Sequence, residues 1–257
     1  MPTIYFVDGE KGGVGKSMFS RVMAHFFECK QLDYILVDTD SSNDVANCYQ
    51  GVTDITFKVA DEELALSSLQ VQKIDEIFNY AQEKSVLVNL PANVHEQVKF
   101  WLTDSCLLDL DFTQEANVNV VKWFVCSGEP DSFQYFLNSM EELGGAVPHV
   151  LVRNKGLHPD WKDVDNNKDY KTAKDKYKFL EIDFPGLRKS EQIYVQKSQL
   201  SFNNLIGDKA LGLLSKQRLK NFLKLATEAI QESKVIAEPP PPSKSQSKRS
   251  RSKKTTK

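Results

Sequence analysis

Residues 9–17, Gly9-Glu10-Lys11-Gly12-Gly13-Val14-Gly15-Lys16-Ser17, decide how this chain is read. An apolar run, TIYFVD at 3–8, leads into them, and a helical pattern over 16–30 leads away. A strand, a glycine loop ending in Lys-Ser and a helix together build an anion site. Gly12, Gly13 and Gly15 let the backbone turn tightly so that successive N–H groups face one point, and the helix start adds partial positive charge. Lys16 then stands where the β- and γ-phosphates of a nucleotide would lie, and the Ser17 hydroxyl where Mg²⁺ would be ligated. A plain glycine turn before a helix would leave the Lys-Ser pair unexplained.

Working outward, short apolar runs alternate with amphipathic stretches. Strands are expected at 3–8, 34–38, 85–90, 119–126 and 148–153, with a weaker one near 55–60. Helical patterns cover about 16–30, 70–83, 93–108, 130–142 and 209–233. Apolar strands separated by helices predict an α/β fold, a doubly wound and mostly parallel sheet with helices on both faces. Residues 157–178 break the rhythm with six lysines and five aspartates, and read as a solvated, charged insertion. The folded domain is expected to span 1–237. Beyond it, 238–257 (EPPPPSKSQSKRSRSKKTTK) offers nothing to bury and reads as a disordered basic tail.

The bulk numbers set limits. At 257 residues and 40% hydrophobic, the chain can bury an ordinary core. No window has the eighteen apolar residues of a membrane span, and the N-terminus lacks a basic leader, so a cytoplasmic protein is expected. Cys29, Cys48, Cys106 and Cys126 form no CxxC pair, which argues against a zinc or redox motif and for reduced, mostly buried thiols. Seven of the 33 basic residues lie in 243–257 without an acid, leaving 26 against 35 acids and a body of net charge −9. An acidic body with a basic tail suggests an anionic partner.

The general phosphate-loop pattern GxxxxGK[ST] asks for glycine where this chain has Glu10; the match is instead to the deviant form KGGxGK[ST]. On these residues the chain resembles the ParA/MinD family of P-loop ATPases. The resemblance implies that Lys11, Gly12, Gly13, Val14, Gly15, Lys16, Ser17 and Met18 contact ATP. It further implies that Lys11 crosses a dimer interface to the partner's phosphates, so that the ATP-bound form is a homodimer. Met18 departs from the family, where a second threonine often touches the α-phosphate.

Three further segments fit the same resemblance. YILVDTD places Asp38 and Asp40 at a strand end, where the family's two acids organise the water around Mg²⁺ and orient the attacking water; Asp40 is the better candidate for the hydrolytic role. SVLVNLP matches the strand that ordinarily ends in an aspartate, here Asn89, which can reach Mg²⁺-bound water through its carbonyl but brings no charge. Slower turnover or weaker Mg²⁺ dependence follows, unless Asp38 already supplies the charge. HVLVRNKG and FLEIDFPGLR resemble the adenine-side segments, which assigns Asn154 and Pro185 to the base.

The implied catalytic set is Lys11, Lys16 and Asp40. The implied task is slow ATP hydrolysis driving partitioning, positioning or mobilisation of plasmid or chromosomal DNA; the narrower likeness is to ParA-like proteins of plasmid stability and mobilisation loci. A stimulating partner protein is expected, and the basic tail predicts salt-dependent, sequence-independent DNA affinity. The competing readings are a non-hydrolysing nucleotide-dependent adaptor and a small-molecule kinase or ligase resembling dethiobiotin synthetase. The apolar stripe Leu211, Leu214, Leu219, Phe222, Leu223, Ala226 and Ile230 reads as a helix packed on the sheet rather than a membrane-seeking one.

Overall fold

A computed structural model describes residues 1–59 and 65–237. The tail expected to be disordered lies outside the described residues. Strand β1 (Thr3–Asp8) runs through the phosphate loop into α1 (Lys16–Lys30), followed by β2 (Tyr34–Asp38) and the short α2 (Ala46–Tyr49). Next come α3 (Ser68–Glu83), β3 (Ser85–Asn89), α4 (His95–Asp104) and α5 (Leu110–Glu115). The chain continues through β4 (Asn119–Cys126), α6 (Pro130–Leu143), β5 (His149–Asn154), α7 (Lys162–Asn166) and α8 (Lys168–Tyr177). It closes with β6 (Leu180–Phe184), α9 (Lys189–Ser198), α10 (Phe202–Gly207) and α11 (Leu213–Glu232).

The six strands form one sheet in the order β2-β3-β1-β4-β5-β6, with every pairing parallel. From β1 the chain passes to the edge strand β2, returns to β3 between them and then crosses to β4 on the other side, so the carboxyl end of β1 opens at the topological switch point, where ligands of such sheets collect. Both faces are covered. Tyr5, Val7, Trp123 and Val125 point into a core beneath α1, α10 and α11, while Ile4, Phe6, Val86 and Val88 point into one beneath α3 and α4. Because alternate side chains are buried on opposite faces, the strands read as continuous apolar runs.

Several expectations change. The stretch near 55–60 forms no strand over its described part; Ile55 and Phe57 are buried as irregular chain, and the nearest pairing is an isolated bridge between Val37 and Val52. Part of the supposed base-side loop is the edge strand β6, in which Ile182 and Phe184 are buried while Glu181 and Asp183 alternate with them. The charged segment 157–178 is not a solvated excursion. It forms α7 and α8, whose Val164, Tyr170 and Ala173, with Trp161 just before α7, join Phe124, Phe136 and Leu151 in a third apolar cluster. Four apolar residues at helical spacing suffice to dock it, and the lysines and aspartates occupy the outer side. Of the four cysteines only Cys126 is buried; Cys29 and Cys106 are exposed. Helix α11 packs through Leu219, Phe222, Leu223, Ala226 and Ile230, with Leu211 buried ahead of it, but Leu214 of the expected stripe is 70% exposed.

Candidate functional site

The phosphate loop is held from below by close packing. Gly9 lies so near β4 that an added Cβ would stand 2.6 Å from the Val125 carbonyl oxygen, which only a glycine permits. Gly15 takes φ 105°, and a Cβ there would meet the Asn154 amide at 2.6 Å. The Lys16 ammonium is buried and donates to the Gly9 carbonyl at 2.7 Å and the Lys11 carbonyl at 3.3 Å. Burial holds its pKa below the usual lysine range despite the opposing pull of Asp8, Asp40 and Glu10. Such a cation, turned back on its own loop, is suited to release those carbonyls for an anion.

A cavity of about 380 Å³ opens over the loop, lined by Gly12, Gly13, Gly15, Lys16, Ser17 and Met18 together with Asp40. Arg21, Asp44, Ala92, Gln196 and Gln199 complete it. Ser17 and Arg21 are four residues apart on α1 and so share a face, the one signal by which Arg21 could have been found. Its guanidinium donates to the carbonyls of Val195 and Leu200 and lies over the Phe202 ring, tying α9 to α1. No periodicity or motif marks Gln196 and Gln199; only the fold of α9 against α1 brings them to the cavity. The fit to a nucleotide rests on a buried lysine and glycine-loop amides at the floor, with a hydroxyl and a carboxylate beside them.

Parallel register puts Asp38 beside Asn89, and Asn89 beside Val7 of β1. Asn89, wholly buried, accepts from the Ser20 hydroxyl at 2.8 Å and donates its amide to Asp38 Oδ1 at 2.8 Å. The other Asp38 oxygen accepts from the Val45 and Ala46 amides at 2.9 and 3.0 Å, fastening the start of α2. Burial raises the Asp38 pKa, against which these three donors, with the Asp40 amide, pull it down. Asp38 and Asn89 therefore meet each other and lie behind the cavity, whereas Asp40 reaches it.

Lys11 points away from the loop. Its ammonium lies 2.6 Å from Glu129 and 3.2 Å from Asp131, acids of the same chain at the start of α6, and these bonds raise its pKa. Asn154 donates to the Val14 carbonyl at 2.8 Å and accepts from the Gly156 amide at 3.0 Å. It props the phosphate loop, and neither it nor Pro185 lines the cavity.

Behind the loop lies a charged network that sequence reading missed. Asp8 and Lys122, both buried, pair at 2.7 Å, and Lys122 also meets Ser139 and Nδ1 of His95. Burial alone would raise the Asp8 pKa, but Lys122, together with the Gly9 amide and Lys16, outweighs it and the carboxyl stays below its usual range. His95, Glu96 and Glu142 bring ligand-type atoms within 4.8 Å of one another. That cluster is already ion-paired, because Lys99 sits 2.6 Å from Glu142 and 2.8 Å from Glu96. Both ring nitrogens of His95 are engaged as well, Nδ1 by the Lys122 ammonium at 3.4 Å and Nε2 by Glu142 at 3.1 Å.

Fold and loop together resemble those of P-loop proteins of the ParA/MinD type. A curated relative, Protein MobD of Acidithiobacillus ferrooxidans, is 26% identical over 208 residues, which cover 77% of this chain and 85% of that one. The septum site-determining protein MinD of Pyrococcus horikoshii, solved with Mg-ADP, shares the fold at 13% identity and a TM-score of 0.51 over 92% of this chain and 99% of its own. A plasmid partition protein of Borrelia burgdorferi bound to AMPPNP aligns over 88% of this chain and 98% of its own, at 17% identity and a TM-score of 0.41. No family model matches the chain. The resemblance read from KGGVGKS and the parallel α/β architecture are both borne out. Among the described residues no helix is long and apolar enough to cross a membrane.

Proposed function

We propose that the chain is a ParA-like switch that binds Mg-ATP, pairs with a second copy, hydrolyses the nucleotide slowly and acts in partitioning, positioning or mobilisation of DNA. The observation carrying this reading is the buried Lys16 ammonium, bonded to two carbonyls of its own loop at the floor of a nucleotide-sized cavity. Lys16 would neutralise the β- and γ-phosphates, and Asp40 would orient the attacking water. Ser17, and Asp40 through water, would hold Mg²⁺, which would further neutralise the phosphate charge. Lys11, freed from Glu129 and Asp131, would serve the partner's site. MinD of P. horikoshii, similar in fold, holds Mg-ADP.

The test is retention on non-specific DNA at moderate salt with ATP or ADP, for the full chain, a chain ending at residue 237 and Lys16→Ala. ATP-dependent retention that Lys16→Ala abolishes is the expected result. Retention indifferent to nucleotide, or none, overturns the DNA switch. A second reading, the non-hydrolysing adaptor, is favoured by the amide at Asn89. Phosphate release by the full chain separates the two.

A further inference from the structure

We propose that Glu10 is a positioning residue that clasps the loop between β3 and α4 to the phosphate loop, and so sets one wall of the nucleotide cavity. This rests on the nucleotide reading above. The general phosphate-loop pattern has glycine at this position, where no side chain could bridge to a neighbour. Here the Glu10 Oε1 accepts from the Val94 amide at 3.3 Å, and the Glu10 backbone carbonyl accepts from the Asn93 amide at 3.2 Å. Residue 10 thus holds two consecutive amides at the start of α4, where donors are otherwise left over and a carboxylate is favoured. Asn93 takes φ 61°, a left-handed conformation that a branchless glycine would adopt more readily. The Asn93 and Val94 bonds offset that cost, and the loop they restrain carries Ala92 into the nucleotide cavity.

The carboxyl lies in a charged setting. On the loop side it faces Lys16, and beneath it are Asp8 on β1 and Lys122 on β4. It shares the lining of a small cavity of about 270 Å³ with His95 and Glu96 on α4 and Glu142 on α6. Burial first, and then Asp8, push the Glu10 pKa up to about 7. His95 is held below its usual range by burial and by Lys122, so it stays neutral above pH 6.5. Between pH 6 and 8 Glu10 passes from protonated to ionised and adds a negative charge close to Lys16. A polyphosphate at Lys16 therefore favours the protonated form, and its binding draws a proton from solvent.

Two measurements test this on the full chain. The first is amide exchange at Val94 without nucleotide. Glu10→Ala should speed it by about tenfold or more, and Glu10→Gln, which keeps the acceptor oxygen, should restore protection. The second is the affinity for a fluorescent ATP analogue from pH 6 to 8.5. The wild type should weaken relative to Glu10→Gln by about threefold as pH rises through 7, a shift of the size expected from one nearby charge, and the Gln variant should show only the titration of the nucleotide itself. Unchanged Val94 exchange in Glu10→Ala overturns the clasp, and parallel pH profiles overturn the charge coupling. If the wild type binds no ATP analogue, the nucleotide reading fails, while the Val94 exchange still decides the clasp.

Discussion

At the scale of single residues, the buried polar groups of the site are met by partners of opposite charge or complementary hydrogen-bonding sense. Asn89 is the clearest case. Its amide hydrogen faces Asp38 at 2.8 Å, where an aspartate would set two buried carboxylates against each other and force them to share a proton. The missing charge at position 89, read from sequence as slowing turnover unless Asp38 already supplies it, is in the fold a complement to Asp38. Asn89→Asp should cost about 1–3 kcal/mol of stability at pH 7. A shared proton means a raised folded-state pKa, so the penalty should shrink as pH falls toward 5. Urea unfolding at both pH values checks this, and an equal cost at both would sink it. Lys11 offers a second test. Because Glu129 and Asp131 hold it within its own chain, Glu129→Gln with Asp131→Asn should release it and increase the ATP-dependent dimer fraction by a factor of a few, as seen by sedimentation. A dimer fraction equal to or below that of the wild type would show that the two acids do not restrain it.

Elements explain why those residues meet. The register β2-β3-β1 lines up Asp38, Asn89 and Val7, and the crossover at β1 sends the phosphate loop out beside them. On the other side β4 brings Lys122 under Asp8. Breaking that buried pair by Lys122→Met strands an uncompensated charge, and should destabilise the protein by about 3–5 kcal/mol. Adding Asp8→Asn should recover much of the loss. A double variant no more stable than Lys122→Met, measured by chemical denaturation, would mean that the pair matters by packing rather than charge. The phosphate loop was legible because its chemistry is local: ten consecutive residues carry strand end, turn and helix start. Lys122 was not, since a lysine inside an apolar strand signals burial only once a carboxylate is known to lie beside it. The docking of α7 and α8 was missed for the same reason. Trp161, Val164 and Tyr170 look sparse among charges until Phe124 and Phe136 are seen to receive them.

For the whole molecule, the polar network sets how stability depends on pH. His149 is buried against Ser139 and the Val147 carbonyl, and burial, aided by the charge of Lys122, lowers its pKa to about 3. The folded state therefore keeps the ring neutral while the unfolded chain protonates it near 6.5. Stability from this group is full above 6.5 and is lost as pH falls toward 3. His149→Asn, which does not titrate, should be less stable at pH 7 yet show a shallower decline between pH 7 and 5 in thermal melts. A decline as steep as the wild type's would assign the acid sensitivity elsewhere.

Taken alone, the sequence determined the fold class and the phosphate loop, because hydrophobic periodicity and a contiguous glycine-lysine-serine motif are properties of neighbouring residues. It also identified which helix face packs on the sheet along most of α11. Only the tertiary structure decided that Asn89 serves Asp38, that Asn154 props the loop and that Glu10 reaches α4. It also showed Lys11 resting on its own chain's acids. Each of these joins residues between 51 and 140 positions apart, and such contacts follow from strand order and register, which short-range pattern does not encode.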